Sequence, residues 1–406
     1  METYPFELLL ITFVAMLAPL ITEFPGAPRI PIVALELLLG ILIGPHVLNL
    51  ADPEGMVGTL GELGLAFLLF MVGLEIDFEK IRGKPLSLAL SGWLVSLATA
   101  TVCMLFFYNI GLIETPPLLA AVALSTTALG ILTPILRDRN ELNSNFGTHM
   151  VAAAAIGEFG PLVVISMVLI PTHSTVMHTL FMVLFIAIAL VSANIALSSR
   201  SPRLIEILTK TMQSSGQLPV RICILLQILF VALAAKFGLN IVMGAFTAGI
   251  VVGLAIKGKG GELLRHKLDA IGYGFLIPVF FVVVGMKFEV TALWSAPIAP
   301  LQVILLSAML LLVRGIPLLL YKNELTPEEK IPFALYSATG LPLIVIISEI
   351  GVSSGAMPID RASVLVCAGM ISVILFPVLA LKLRGKYVLP WDQQPPPPAT
   401  DREENH

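Results

Sequence analysis

The sequence predicts an all-α polytopic membrane protein with thirteen transmembrane helices arranged as two inverted six-helix repeats. Three observations carry this prediction: the composition, the placement of basic residues between apolar segments, and an internal similarity at one fixed offset. Hydrophobic residues make up 57% of the chain and charged residues 13%, about half the charge fraction of a soluble domain. Apolar segments run near 5–22, 31–49, 58–75, 86–110, 116–136, 147–170, 176–197, 217–236, 240–256, 268–286, 293–321, 331–350 and 361–383. They suit the roughly 20-residue span of a bilayer's hydrocarbon core. The opening METYPFELLL has no basic leader and no small-residue cleavage site, so it is expected to be a retained first helix.

The loops test the span count through the excess of lysine and arginine on the inner face. With the N-terminus outside, the inner loops hold 19 of the 24 basic residues, while the outer loops hold only Lys236, Lys287 and Arg361. Arg314 falls inside a span and Arg402 in the tail. This asymmetry predicts a protein with its N-terminus outside and its C-terminus in the cytoplasm; the expected location, with the function given below, is a bacterial inner membrane. The polar segment 198–217 carries Leu204, Ile205, Leu208 and Met212 at helical spacing, which predicts a short helix along the cytoplasmic surface. The proline-rich stretch from Trp391 reads as a disordered tail. Cys103, Cys223 and Cys367 all fall within spans and read as small buried hydrophobes.

LLFMVGLEIDFE (68–79) resembles FFVVVGMKFEV (280–290), aligning Gly73 with Gly285. LSTTALGILTP (124–134) resembles YSATGLPLIVI (336–346), aligning Ser125 with Ser337 and Thr127 with Thr339. All three alignments share an offset of 212 residues. Six spans (residues 1–170) plus a connector with its surface helix (171–216) then precede six more spans (217–385), and residues 386–406 form the tail. An odd number of intervening crossings inverts the second repeat, an architecture that suits alternate opening to either side.

Spans 5 and 12 are interrupted at corresponding places, by STTALG and by SATGLP. Glycine and proline in mid-span free backbone groups that hydrocarbon cannot satisfy, so such breaks are tolerated where they line a protein cavity. The hydroxyls of Ser125, Thr126, Thr127, Ser337 and Thr339 add hard oxygen ligands there. The alternative is close helix packing through small residues. In AAAAIGEFGP (152–161) a single acid, Glu158, interrupts a long apolar run. A charge at that depth costs roughly 2.5–3.5 kcal/mol or more and marks ion and proton paths. Burial favours the neutral carboxyl, so such a group is suited to hold a proton or a small cation that replaces it. Competition of the two for one carboxylate is the minimal chemistry of an antiporter.

Other charges in the spans read differently. Glu36 is expected to play a structural hydrogen-bonding role. Arg314 stays charged and needs an acidic partner, for which Glu158 and Glu36 are the candidates. Glu62, Glu349 and His149 lie near span ends, within reach of water, and Glu75 and Asp77 read as solvated loop charges. No nucleophile–base pair, metal-ligand spacing or phosphate loop is present, so the chain reads as no enzyme and without a cofactor. Nothing in its charge points to nucleic acid.

GELGLAFLLFMVGLEID, the STTALG break, the Gly157-Glu158 pair, FLIPVFFVVVGMKFE and SATGLPLIVI together resemble the cation:proton antiporter-2 family, from about residue 5 to 385. The resemblance implies a homodimer with a dimerisation unit and a mobile core. In that core two broken helices cross beside an aspartate that carries the cation in an elevator-like movement. The family's two-residue motif falls on Gly157-Glu158, with Glu158 as carrier, binding Na⁺ or K⁺, and Ser125, Thr126 and Thr127 as ligand helpers. A glutamate replaces the family's usual aspartate, and Gly157 removes the first polar partner, which implies electroneutral exchange. Arg314 resembles a buried arginine of related exchangers. The expected function is a monovalent cation:proton antiporter working in membrane lipid. The rival readings are a sodium-coupled organic-solute symporter and a non-transporting or channel-like protein in which Glu158 sits in a permanent ion pair.

Overall fold

The computed structural model describes residues 4–24, 31–168, 175–198, 210–211, 214, 216–256, 259–289 and 298–384. The described residues are helical throughout, with no strand among them. The surface helix expected from Leu204, Ile205 and Leu208, the loop residues Arg29, Arg200 and Arg203, and the tail all lie outside the described residues.

In chain order the helices are α1 (Tyr4–Glu23), α2 (Ile32–Ile43), α3 (Gly55–Glu75), α4 (Lys84–Asn109), α5 (Pro117–Leu124) and α6 (Leu129–Asp138). They continue with α7 (Asn145–Val168), α8 (Thr175–Ser198), α9 (Leu218–Lys236), α10 (Ile241–Ala255) and α11 (Lys259–Ile271). A π-turn, Gly272–Leu276, joins α11 to α12 (Ile277–Met286). Next come α13 (Ala299–Gly315) with a 3-10 extension to Tyr321, α14 (Pro327–Ser337), α15 (Pro342–Ser353) and α16 (Ile359–Arg384). Ten of the resulting helical segments are long and apolar enough to cross a membrane, with α5–α6 and α14–α15 each taken as one segment. Ile32–Ile43, Thr179–Ile195 and Ile241–Ala255 are shorter apolar helices.

The helices pack as two bundles. One gathers α1, α2, α3, α9, α10 and α12. The other gathers α4 to α7 and α13 to α16. Contacts between the bundles are sparser and run through α6 on α3, α10 on α7 and α16 on α2. Within the first bundle, glycine lets backbones meet. A Cβ on Gly73 or Gly249 would overlap the facing backbone of α10 or α3, and one on Gly40 or Gly285 would overlap that of α12 or α2. Such small-residue seams hold helices together in lipid, where the hydrophobic effect between them is absent. α3 and α12 run antiparallel, since Gly61 faces Val283, Gly64 faces Phe280 and Phe67 faces Gly272.

The interruptions fall where the sequence places them. α5 ends at Ser125 and α6 starts at Leu129; α14 ends at Ala338 and α15 starts with Pro342, whose missing N–H costs nothing at a first helical position. A capping box, Thr326 with Glu329, starts α14. Pro161, by contrast, leaves α7 continuous.

Candidate functional site

The two interruptions meet in the second bundle. Where a helix stops mid-span, its freed N–H and carbonyl groups must find partners, and here each break supplies the other. The Ala128 N–H donates to the Thr339 carbonyl across 2.7 Å, and the Thr127 hydroxyl donates to the Ser337 carbonyl across 2.6 Å. Gly340 faces Thr126 so closely that a Cβ would come within 2.5 Å of its Oγ1. Ser372 in α16 accepts the Gly340 N–H at 3.2 Å.

α7 passes beside this crossing. The Gly157 carbonyl accepts the Thr127 N–H at 3.1 Å, and the next residue, Glu158, accepts the Leu129 N–H on Oε2 at 3.0 Å. Glu158 is only 1% exposed. Its carboxylate therefore sits on the first N–H of half-helix α6, where the positive end of the helix dipole favours negative charge. Gly157 is the residue that permits the approach: a Cβ there would lie 2.9 Å from Thr127 and 3.2 Å from Arg314 Nη2.

Of the residues singled out from sequence, Glu158, Gly157, Thr126, Thr127, Thr339 and Arg314 come together at the crossing. Ser125 is buried beside them, its hydroxyl bonded within its own turn to the Val122 carbonyl at 2.8 Å. Thr126 and Thr339 likewise donate to their own turns, at Ala123 and Leu335. A hydroxyl that donates to a carbonyl keeps its oxygen lone pairs for another partner. Glu36 stands apart in α2, in the other bundle; it is 3% exposed and forms no hydrogen bond or ion pair with any described residue.

Four sequence expectations need correction, the first being the hydrogen-bonding role of Glu36, which finds no partner among the described residues. Arg314 has an acidic partner in neither Glu158 nor Glu36. Its Nε donates to the Ser337 carbonyl at 3.2 Å and its Nη1 to the Ser96 hydroxyl at 3.2 Å. The cation thus answers the carbonyls that end α14, the negative end of a helix dipole, in place of a carboxylate. Glu75, read as a solvated loop charge, has a side chain only 3% exposed and is paired with Arg137, which also reaches Asp269 at 3.4 Å. His149, read as reaching water, is buried, with Nδ1 against the Asn145 carbonyl at 2.9 Å and Nε2 3.6 Å from Glu324. Glu62 and Glu349 are exposed as expected, and Asp77 is half-buried.

Sequence reading singled out none of Ser96, Ser372 and Thr133. Thr133 bonds the Leu129 carbonyl at 2.9 Å and lies beside Glu75. With Glu75, Arg137 and Val151 it lines a cavity of about 660 Å³ at that end of the bundles. Val151 precedes Glu158 by two helical turns on the same face of α7. The cavity therefore ends two helical turns short of the acid, on the same side of α7.

This fold and this site define a membrane protein of the class built around two broken helices that meet at a buried acid. The chain belongs to the sodium/hydrogen exchanger family, whose transmembrane-domain model matches residues 10–381. It is 28% identical to a protein of Bacillus subtilis described as the putative Na⁺/H⁺ antiporter YjbQ, over 93% of this chain and 62% of that protein, so the chain spans about three-fifths of that relative's length. It is also 28% identical to the high-affinity Na⁺/H⁺ antiporter NhaS3 of Synechocystis, over 73% of this chain and 68% of that protein. The structure of the sodium proton antiporter MjNhaP1 from Methanocaldococcus jannaschii has the same fold, with a TM-score of 0.64 over 95% of this chain and 97% of that one at 16% identity.

Proposed function

We propose that the chain is a secondary-active monovalent cation:proton antiporter in which H⁺ and Na⁺ or K⁺ compete for Glu158. The observation that carries this reading is the burial of Glu158 at the crossing of two broken helices, with one hydrogen bond among the described residues, from Leu129. A bare carboxylate there has one N–H and a helix dipole for its charge, well short of the hydration it gives up. A proton neutralises it. So does a small cation held by the carboxylate with the hydroxyl oxygens of Thr127, Thr126, Ser125 and Thr339. The two loaded states are mutually exclusive and both are neutral at the carboxylate, so either crosses at lower cost than the bare form. One carboxylate without a second acid at Gly157 makes the exchange one for one and electroneutral.

Supporting an elevator-like movement are the two bundles with sparse contacts between them, the site lying wholly within the second. The antiparallel run of α3 and α12 and the matched breaks favour two inverted repeats, 1–170 and 217–385, with thirteen crossings. The N-terminus is read as outside, the C-terminus as cytoplasmic, and the protein as a homodimer in a bacterial inner membrane. Relatives described as Na⁺/H⁺ antiporters support the substrate class.

The test is cation-induced collapse of a pH gradient in everted vesicles or proteoliposomes, with Na⁺, K⁺ and Li⁺ in turn, for wild type and Glu158→Gln. Wild type is expected to respond to at least one cation and the folded variant to none. Equal responses, or silence from both, would reject Glu158 as the carrier.

A further inference from the structure

Among the described residues, two ion pairs tie the C-terminal end of a first-bundle helix to a half-helix of the second, and the repeat offset relates them. Glu75, the last residue of α3, pairs with Arg137 in α6. Lys287, the residue that caps α12, pairs with Glu349 in α15 at 3.1 Å. Adding 212 to 75 gives 287, and adding 212 to 137 gives 349. This offset also aligns Gly73 with Gly285 and Ser125 with Ser337. Each pair links the end of a first-bundle helix to the half-helix that follows a break. Because α3 and α12 are antiparallel, the pairs lie at opposite ends of the molecule. The polarity is exchanged: acid on α3 and base on α6 at one end, base on α12 and acid on α15 at the other.

Their surroundings differ. The Glu75 and Arg137 side chains are 3% and 36% exposed, and Arg137 has Asp269 as a second acid; Lys287 and Glu349 are 40% and 60% exposed. In this conformation one end is tightly tied and the other only loosely.

We infer that Glu75–Arg137 and Lys287–Glu349 are reciprocal latches, each stabilising one of the two access states of the transporter. The inference rests on the alternating-access reading above. When two inverted repeats exchange conformations, the opposite state is generated by giving each repeat the other's geometry. Residues 287 and 349 then take the buried arrangement now held by 75 and 137, and 75 and 137 take the exposed one. An exposed ion pair contributes little, whereas a sheltered pair with good geometry biases the equilibrium between states. The first pair therefore holds the state with the cavity beside Thr133 and Val151, and the second holds its opposite. Charge pairing at these positions is required, whereas its direction is not, because the two repeats use opposite polarities.

The test reads the state directly. In a protein with Cys103, Cys223 and Cys367 replaced by alanine and Val151→Cys in the cavity, the rate of labelling by a membrane-impermeant maleimide is measured from the side read as cytoplasmic. Removing only one member of the buried pair leaves an uncompensated charge that threatens folding, so both are neutralised together. Glu75→Gln with Arg137→Gln is expected to slow labelling roughly three- to tenfold. Lys287→Gln with Glu349→Gln is expected to speed it. Lys287→Glu alone should act like the outer neutral pair, and Lys287→Glu with Glu349→Lys should restore the wild-type rate. Unchanged rates in folded variants, shifts of both pairs in one direction, or failure of the exchanged outer pair to restore the rate would overturn the latches. Cation-driven collapse of the pH gradient in the same vesicles tests antiport separately, so loss of one reading is distinguishable from loss of the other.

Discussion

Leu129 donates its backbone N–H to Oε2 of Glu158 across 3.0 Å, placing the one carboxylate at the crossing on the first residue of a half-helix. The contact is the one hydrogen bond that the described residues give the ionised form, and its geometry depends on side-chain length. Glu158→Asp withdraws the carboxyl by one methylene. Loss of a hydrogen bond to a charged group costs about 1.5–3 kcal/mol, so apparent cation affinity should weaken about tenfold to a hundredfold while the proton-titratable group survives. Glu158→Gln should abolish exchange without loss of expression. A Glu158→Asp protein with unchanged cation dependence in vesicle assays would remove Leu129 from the account.

Gly157 leaves space that Thr127 and Arg314 fill. Gly157→Ala sets a methyl 2.9 Å from Thr127 and 3.2 Å from Arg314, and overpacking of this kind costs about 1–3 kcal/mol. The strain falls on the segment that aligns Glu158, so exchange activity should drop with the melting temperature. Gly274→Ala is the matched control, because a Cβ there meets nothing within 4 Å. Thermal unfolding in detergent should separate the two, and equal stability of both variants would contradict the packing.

Much of this site was legible because membrane chemistry makes exceptions visible. A lone acid between alanines, and glycine or proline in mid-span, each violate what hydrocarbon tolerates, and Glu158 and both breaks were found that way. Helix ends were less legible: the apolar pattern carried span 2 to residue 49, whereas α2 stops at Ile43 with Gly44 as its cap. Partners were least legible. The sequence offers Arg314 only carboxylates as partners, because the carbonyl ending a half-helix carries no letter in it. Glu75 looked solvated because its partner, Arg137, is 62 residues away and joins it only through the packing of α6 on α3. The signal that could have found that pair was the 212-residue offset, applied to charges at span ends as it was to glycine and serine.

The arginine has its own prediction. Since Arg314 serves the Ser337 carbonyl and the Ser96 hydroxyl, Arg314→Lys keeps the charge but loses the planar fork that reaches both. An acceptor left without its donor costs about 1–3 kcal/mol, which should appear as a lower melting temperature. Arg314 and Glu158 share the crossing but no ion pair, so a double-mutant cycle of Arg314→Gln with Glu158→Gln should give a coupling at the low end, about 0.5 kcal/mol, of what neighbouring residues show. A strongly favourable coupling in that double-mutant cycle would mean that the two charges are paired after all.

A pH dependence separate from Glu158 is expected at the loop before α14. There the hydrogen bond from Lys84 holds the Glu324 carboxyl below its ordinary 4.5, with the charges of Lys84 and His149 acting the same way and burial opposing them. A carboxyl lowered in the folded state binds protons more weakly than in the unfolded chain. Its stabilisation is therefore fully present above 4.5 and fades as the pH falls through the lowered folded value. His149 faces the same carboxylate and is itself held by the Asn145 carbonyl, while the Asn145 side chain donates to the Glu324 main-chain carbonyl at 2.7 Å. Replacing Glu324 thus removes the titrating charge without removing that main-chain bond. Melting temperatures of wild type and Glu324→Gln, followed from neutral pH into acid, should differ modestly at neutrality and converge once the carboxylate is protonated. A difference that stays constant through acid would mean the glutamate acts through packing and carries no pH-linked stability.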